Sequence, residues 1–273
     1  MILLIFEGKD DKVYFESIKR LFFPEKEETF VCTYKSNIYS LYNKLKAHDA
    51  INGQLEVDTV SVLKEILLEK GDDTLKEIRE DEVSEIYLFF DYDFQDNRCP
   101  IEENNRKLQE MLSLFNDETG NGKLYINYPM VESLRYTKKL PDNDYWEYTV
   151  TLQKCKETKF KRQVSDFSYY GSNDYLVVNN EKTVDLPKLN AAKMNWLHLV
   201  VMNTSKSNYI CNGSNEVPRE MITQLKLFDN QLTKYIMEKE CKVSILNSFP
   251  IFLFDYFGEK ILLGLNSSDP HVQ

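Results

Sequence analysis

The sequence predicts an α/β protein: a mostly parallel sheet flanked by helices, with a mainly helical C-terminal extension. Short apolar runs alternate with segments of helical period through the first half of the chain. One run, residues 86–90 (Ile-Tyr-Leu-Phe-Phe), stops abruptly at Asp91 and Asp93, and beyond about Arg135 the alternation gives way to helical spacing. The expected division is a sheet domain over residues 1–135 and a mainly helical domain over 136–273.

Taken in order, residues 2–6 are an apolar strand closed by Glu7. Val13, Tyr14, Ile18, Leu21 and Phe22 then recur at helical spacing until Pro24 ends the helix. Residues 29–34 read as a second strand. Ile38, Leu41, Tyr42 and Leu45 follow as a helix face with Ser36-Asn37 as its cap, and Asp58 opens a helix carrying Val60, Leu63, Ile66 and Leu67. The charged stretch 70–85 leads into the central strand. Leu108, Met111, Leu112 and Phe115 mark a helix over 101–115, Gly120-Asn121-Gly122 turns the chain, and 123–127 is the fourth strand. Residues 136–190 show little period and read as irregular or loosely helical. Helices are predicted over 189–202, from Ala192, Trp196, Leu199 and Val200, and over 217–241, from Met221, Leu225, Phe228, Leu232 and Ile236. The apolar stretch 245–265, interrupted by Pro250, Gly258 and Gly264, is expected to pack against the sheet domain, with a frayed tail after Ser267.

Composition narrows the function classes. With 34 Lys+Arg against 44 Asp+Glu, the net charge of -10 provides no global basic footprint, so a nucleic acid would have to meet a local patch. Five scattered cysteines with no C-x-x-C pair suggest neither a disulfide framework nor a zinc site. Residues 2–6 are too short for a signal segment, and no run approaches the roughly eighteen apolar residues of a membrane span. A cytoplasmic protein without membrane association is the expectation. His48, His198 and His271 are isolated in sequence and receive no catalytic role.

The acids carry the chemistry. Strand residues alternate faces, so Asp91 and Asp93 are expected on one face, about 6–7 Å apart along the backbone. If residues 2–6 and 86–91 are parallel neighbours, Glu7 reaches the same edge. With 19 aspartates in the chain, chance makes Asp-x-Asp common, and Asp142-Asn143-Asp144, behind Pro141 in a polar stretch, reads as a pair of solvated loop acids. Asp91 and Asp93 differ because five apolar residues deliver them beside a core strand, where anions cost stability unless a cation, a cap or hydrogen bonds compensate. The alternative is that one of them caps the helix near Pro100. Gly8 frees the backbone to turn, and Asp11, one helical turn beyond Glu7, can point back to the same edge. Read singly, Asp10 and Asp11 complement the helix dipole.

Ile-Phe-Glu7-Gly8-Lys-Asp-Asp11 after an N-terminal strand, followed some eighty residues later by Leu-Phe-Phe-Asp91-Tyr-Asp93, resembles the Toprim domain of topoisomerases, primases, OLD-family nucleases and small RNA-maturation nucleases. Within that family it looks most like the stand-alone Toprim proteins encoded beside ATPases in bacterial phage-defence systems, such as the nuclease subunit of PARIS-type systems. The resemblance covers roughly residues 1–135. It implies a compact parallel-sheet fold and a Mg²⁺ or Mn²⁺ site acting on phosphodiester bonds, with Glu7, Asp91 and Asp93 catalytic. Asp91 and Asp93 would hold metal, Glu7 would bind metal or act as general base, and Asp11 would complete a second metal position. A later acid often joins the site in that group. Tyr128-Pro129-Met130-Val131-Glu132-Ser133 is similar, so Glu132 enters the metal set, with a surface acid as its alternative. The resemblance further implies a toxic effector of anti-phage defence that cleaves DNA or tRNA and is restrained or positioned by an ATPase partner; a homodimer stays open. Two other classes compete. One is a non-catalytic Toprim-like regulatory or scaffolding subunit, indifferent to loss of Glu7 or Asp93. The other is a glycosyltransferase whose Asp-x-Asp holds a nucleotide-sugar metal and whose activity survives Glu7→Gln.

The candidate nucleic-acid contacts are Lys9, Arg135, Lys138, Lys139, Lys159, Lys161 and Arg162. Most lie in a basic stretch that also holds Lys154 and Lys156 and is interleaved with Tyr136, Tyr145, Trp146, Tyr148 and Phe160. Cations track a phosphate backbone and aromatic rings stack unpaired bases. The alternative is a solvated face balanced by Asp142, Asp144, Glu147 and Glu157.

Overall fold

In the computed structural model, β1 (Ile2–Phe6), α1 (Lys9–Phe22), β2 (Thr29–Thr33), α2 (Ile38–Ala47), α3 (Thr59–Glu69), β3 (Glu85–Asp91), α4 (Ile101–Leu114), β4 (Asn116–Asp117) and β5 (Gly122–Asn127) follow one another. The five strands form one sheet in the order β2-β1-β3-β5-β4, parallel except for β4. The structure describes residues 1–23, 28–47, 58–95, 98–178 and 185–266. Pro24, His48, Asp96, His271 and the tail after Ser267 lie outside the described residues. Helices start where the side chains allow: Asn37 Oδ1 accepts from the Ser40 amide at 3.0 Å, and Asp58 Oδ1 accepts from the Ser61 amide at 2.9 Å. α4 follows Pro100 with no side-chain cap, so neither Asp91 nor Asp93 is spent there.

Gly8 departs from expectation. Its φ of -132° is extended backbone open to any residue, so its conformational freedom is not used. Its amide instead donates to Asp11 Oδ2 at 3.2 Å, and this bond turns Asp11 back toward the strand end.

The second half is more regular than its sequence suggests. β6 (Thr149–Thr151), α5 (Leu152–Glu157) and α6 (Phe160–Phe167) lie where the chain shows little period, because elements this short complete too few turns to display one. α7 (Leu186–Asn212) runs well past Met202. Its later turns bury Asn203, Thr204, Lys206, Ser207 and Asn208, so the apolar period stops while the helix continues. α8 (Gln224–Gln231) ends in a π-helical turn, and β7 (Lys242–Ser244) pairs antiparallel with β6. α9 (Ser248–Phe257) carries Pro250 in its first turn, where no amide donor is needed, and closes at Gly258 with φ +64°. Among the described residues no helix is long and apolar enough to cross a membrane.

α9 supplies a cover for the sheet. Alternation sends Tyr87 and Phe89 to one face, where Phe249 stacks on Phe89 at 4.9 Å and Phe252 meets Tyr87 edge-on at 5.0 Å. α1 shares that face, Phe15 lying 5.4 Å from Phe6. On the opposite face Tyr34 packs against Phe90 at 5.8 Å. One hydrophobic core therefore joins residues on both sides of position 135. Truncating a buried phenylalanine costs about 3–5 kcal/mol. Phe249→Ala is accordingly expected to lower stability by that amount in denaturant unfolding, and a fragment ending at Arg135 is expected to lack a cooperative transition.

Candidate active site at the carboxyl edge of the sheet

The strand ladder sets the site. Phe6 pairs with Phe89, the Glu7 amide donates to Phe89 O at 3.0 Å, and Asp91 lies opposite Asn127. Glu7, Asp91 and Asn127 thus end three adjacent parallel strands at one edge. Glu7 Oε2 accepts from the Asp91 amide at 3.1 Å. Asn127 donates through Nδ2 to Asp91 Oδ1 at 3.0 Å, while its own Oδ1 accepts from the Ser248 amide at 3.0 Å and hydroxyl at 2.8 Å. Two donors on Oδ1 fix the orientation of this side-chain amide, so its Nδ2 must face Asp91. Sequence reasoning missed Asn127 and Ser248 as site residues. The available signal was that β5, like β3, is an apolar strand ended by a polar residue, here completely buried.

Asp11 and Glu132 approach from α1 and from the short helical turn Val131–Arg135, respectively, both of them buried. Burial, followed by the charges of Glu7, Asp11 and Glu132, raises the Asp91 carboxyl well above its ordinary range. Burial chiefly, with help from Asp93 and Asp11, pushes Glu7 up to about 8. Burial chiefly, with help from Glu132 and Asp10, pushes Asp11 up to about 7. These cross-influences mark one electrostatic cluster.

Asp93 lies past the end of the strand that delivers Asp91. β3 ends at Asp91, and Asp93 takes a left-handed φ of +52°, so strand alternation no longer sets its direction. Its Oδ2 accepts from Asn37 Nδ2 at 3.2 Å and lies 3.9 Å from Arg98 Nη2. Asp142, expected in solvent, is buried: it accepts from the Lys138 and Asp144 amides and the Thr137 and Tyr148 hydroxyls at 2.9–3.1 Å.

The basic stretch divides. Lys161 Nζ lies 3.0 Å from Asp10 Oδ2 and 3.3 Å from Glu132 Oε1, and Arg135 belongs to the same turn as Glu132. Lys138 sits over the rings of Tyr148 and Phe167, and Arg162 lies 3.8 Å from Asp166. Lys9, Lys139 and Lys159 are exposed. The interleaved rings are no open stacking platform: Tyr136, Tyr145 and Phe160 are buried, and Trp146 packs on Tyr209.

Among the described residues no three histidine, cysteine, aspartate or glutamate side chains are gathered so as to hold a metal ion. The chemistry of the donors nevertheless suits a hard divalent cation. All are oxygens, and Asp11 Oδ1 and Glu132 Oε2 are buried with no hydrogen-bond partner. A buried carboxyl such as that of Asp11 either stays protonated or takes a cation.

That choice generates a pH dependence. Glu7 has an ordinary value of 4.5 and rises to about 8, so between these values the metal-free folded protein keeps a proton that the unfolded chain releases. Stability from this group is complete below its unfolded value and is lost as pH rises toward about 8. Glu7→Gln is expected to flatten that slope and raise the unfolding midpoint at pH 8 in chelator, by roughly 2–4 °C for each kcal/mol relieved. Thermal melts of both proteins at pH 5 and pH 8 measure it; parallel slopes would exclude a protonated Glu7.

Compared with protein-family models, with curated proteins and with solved structures, the chain matches none.

Proposed function

We propose that the chain is a Toprim-like, Mg²⁺- or Mn²⁺-dependent nuclease that hydrolyses phosphodiester bonds of DNA or tRNA, an effector of anti-phage defence working beside an ATPase. The observation that carries this reading is the convergence of Glu7, Asp11, Asp91 and Glu132 on the carboxyl edge of a parallel sheet, with two carboxylate oxygens buried and unpartnered.

In this reading Asp91, Asp11 and Glu132 would hold the cation, and Glu7 and Asp93 would complete the acidic edge. A bound divalent cation supplies charge neutralisation at the phosphate and a more acidic water. Asn127, locked by Ser248, keeps the Asp91 carboxylate aimed at the edge. Glu7, fixed by the Asp91 amide, would take the proton of the attacking water as its oxygen bonds to phosphorus and the phosphorus–oxygen bond to the leaving group breaks, the departing oxygen taking its proton from solvent. Asn37 and Arg98 hold Asp93, whose charge acts on Glu7.

The scaffolding alternative draws on one observation: no trio of described side chains is gathered for a metal. Cleavage of labelled plasmid and of total tRNA, with Mg²⁺, Mn²⁺ or EDTA and with or without an ATPase encoded beside it, separates the readings. Metal-dependent cutting reduced at least about a hundredfold in Glu7→Gln and Asp91→Asn is expected. Silence of the wild type under all conditions, with the ATPase supplied, would favour the scaffold.

A further inference from the structure

Beside the acid cluster lies a cleft of about 250 Å³ whose walls include Asp10, Tyr14, Glu132, Arg135, Lys161 and Asn173. It is smaller than the roughly 300–1,000 Å³ of sites that enclose a whole small molecule, so it suits a single group of a larger ligand. Glu132 is 7% exposed and its Oε2 has no partner. Arg135 Nε is also buried without a hydrogen-bond partner, and the guanidinium enters no ion pair among the described residues. A guanidinium presents five donors in a rigid fork that matches phosphate oxygens. Lys161 stands opposite in a different state. Its side chain is 62% exposed and its Asp10 partner 63% exposed. An exposed ion pair is worth at most about 1 kcal/mol, so the ammonium can exchange Asp10 for a better anion at little cost while keeping its 3.3 Å contact with Glu132 Oε1. Tyr14, Val13 and Val131 add an apolar wall on which a sugar can rest.

We infer that this cleft is a phosphate-ester subsite in which Arg135 and Lys161 grip one phosphate of the nucleic acid next to the reacting one. The inference rests on the nuclease reading above and narrows it: of the candidate cations, these two bind at the site, while Lys9, Lys138, Lys139, Lys159 and Arg162 are peripheral. The phosphate is either an internal diester or a terminal monoester.

The test is fluorescence anisotropy of labelled single-stranded DNA and RNA oligonucleotides, with and without a 5′-phosphate. Ca²⁺ replaces Mg²⁺, and binding is followed across a salt series. Wild type is compared with Lys161→Ala, Arg135→Lys and, as a control, Lys76→Ala, an exposed residue in the connection that enters β3 from the opposite end of the sheet. Lys161→Ala is expected to weaken binding about 3–10-fold and to lower the salt slope by about one. Arg135→Lys is expected to weaken it comparably at an unchanged slope, since charge is kept and the fork is lost. Lys76→Ala should bind as wild type. Losses on both kinds of oligonucleotide assign an internal diester; losses confined to the phosphorylated one assign a terminal monoester. Unchanged binding in both cleft variants, or tighter binding by Lys161→Ala, would overturn the cleft while leaving cleavage by the wild type, and hence the nuclease reading, intact. A wild type that neither binds nor cuts any substrate would overturn both.

Discussion

The hydrogen-bond ladder that holds β1, β3 and β5 side by side is the constraint on which the rest depends. Because these strands are parallel, with Phe6 opposite Phe89 and Asp91 opposite Asn127, their carboxyl ends finish within about a residue of one another, and Glu7, Asp91 and Asn127 fall at one edge. A shift of one residue in the β3–β5 pairing would turn Asn127 to the other face and take its amide away from Asp91. The core that grips the ladder therefore also determines where the charge lies.

That core is not built by the sheet segment alone. α9, more than a hundred residues beyond β5, lays Phe249 and Phe252 on Phe89, Tyr87 and Tyr125. The residues that begin it do more than cap a helix. Ser248 orients Asn127, and Asn247 donates to Val131 O and Ser133 Oγ, on either side of Glu132 in sequence. Its amide in turn donates to Asn203, which also accepts from the Tyr145 hydroxyl. The C-terminal half thus covers the sheet and braces the acids through one buried polar network, where each member raises the cost of removing another.

Buried charge elsewhere in the molecule is handled differently, and the contrast singles out the site. Burial pushes the Asp142 carboxyl up, but the Lys138 and Asp144 amides and the Thr137 and Tyr148 hydroxyls outweigh it and hold the group below its ordinary range. Lys206, whose ammonium burial pulls well down, donates to the carbonyls of Tyr145 and Tyr148 at 2.9 and 2.7 Å. Both are satisfied within the fold. Asp11 and Glu132 each keep an oxygen without a donor, and the charges of Glu7, Asp11 and Glu132 add to burial in raising the Asp91 carboxyl. The fold that supplies four donors to Asp142 leaves one carboxylate oxygen of Asp11 and one of Glu132 without any.

Local pattern determined much of this. The apolar runs, their helical partners, the caps at Asn37 and Asp58, and the abrupt arrival of Glu7 and Asp91 at strand ends all follow from residues near in sequence, whose periodicity and turn chemistry act within a few positions. Tertiary structure decided the rest. Asp93 lies past the end of β3 with a left-handed backbone, where strand alternation no longer sets its direction, yet its charge still acts on Glu7. Asp142 became a buried hub and the aromatic residues of the basic stretch became core, and α5 and α6 formed where no period was visible. Asn127 and Ser248 joined the site from 121 positions apart. Burial, desolvation and long-range hydrogen bonding depend on what the folded chain places around a residue, and no local pattern carries that information.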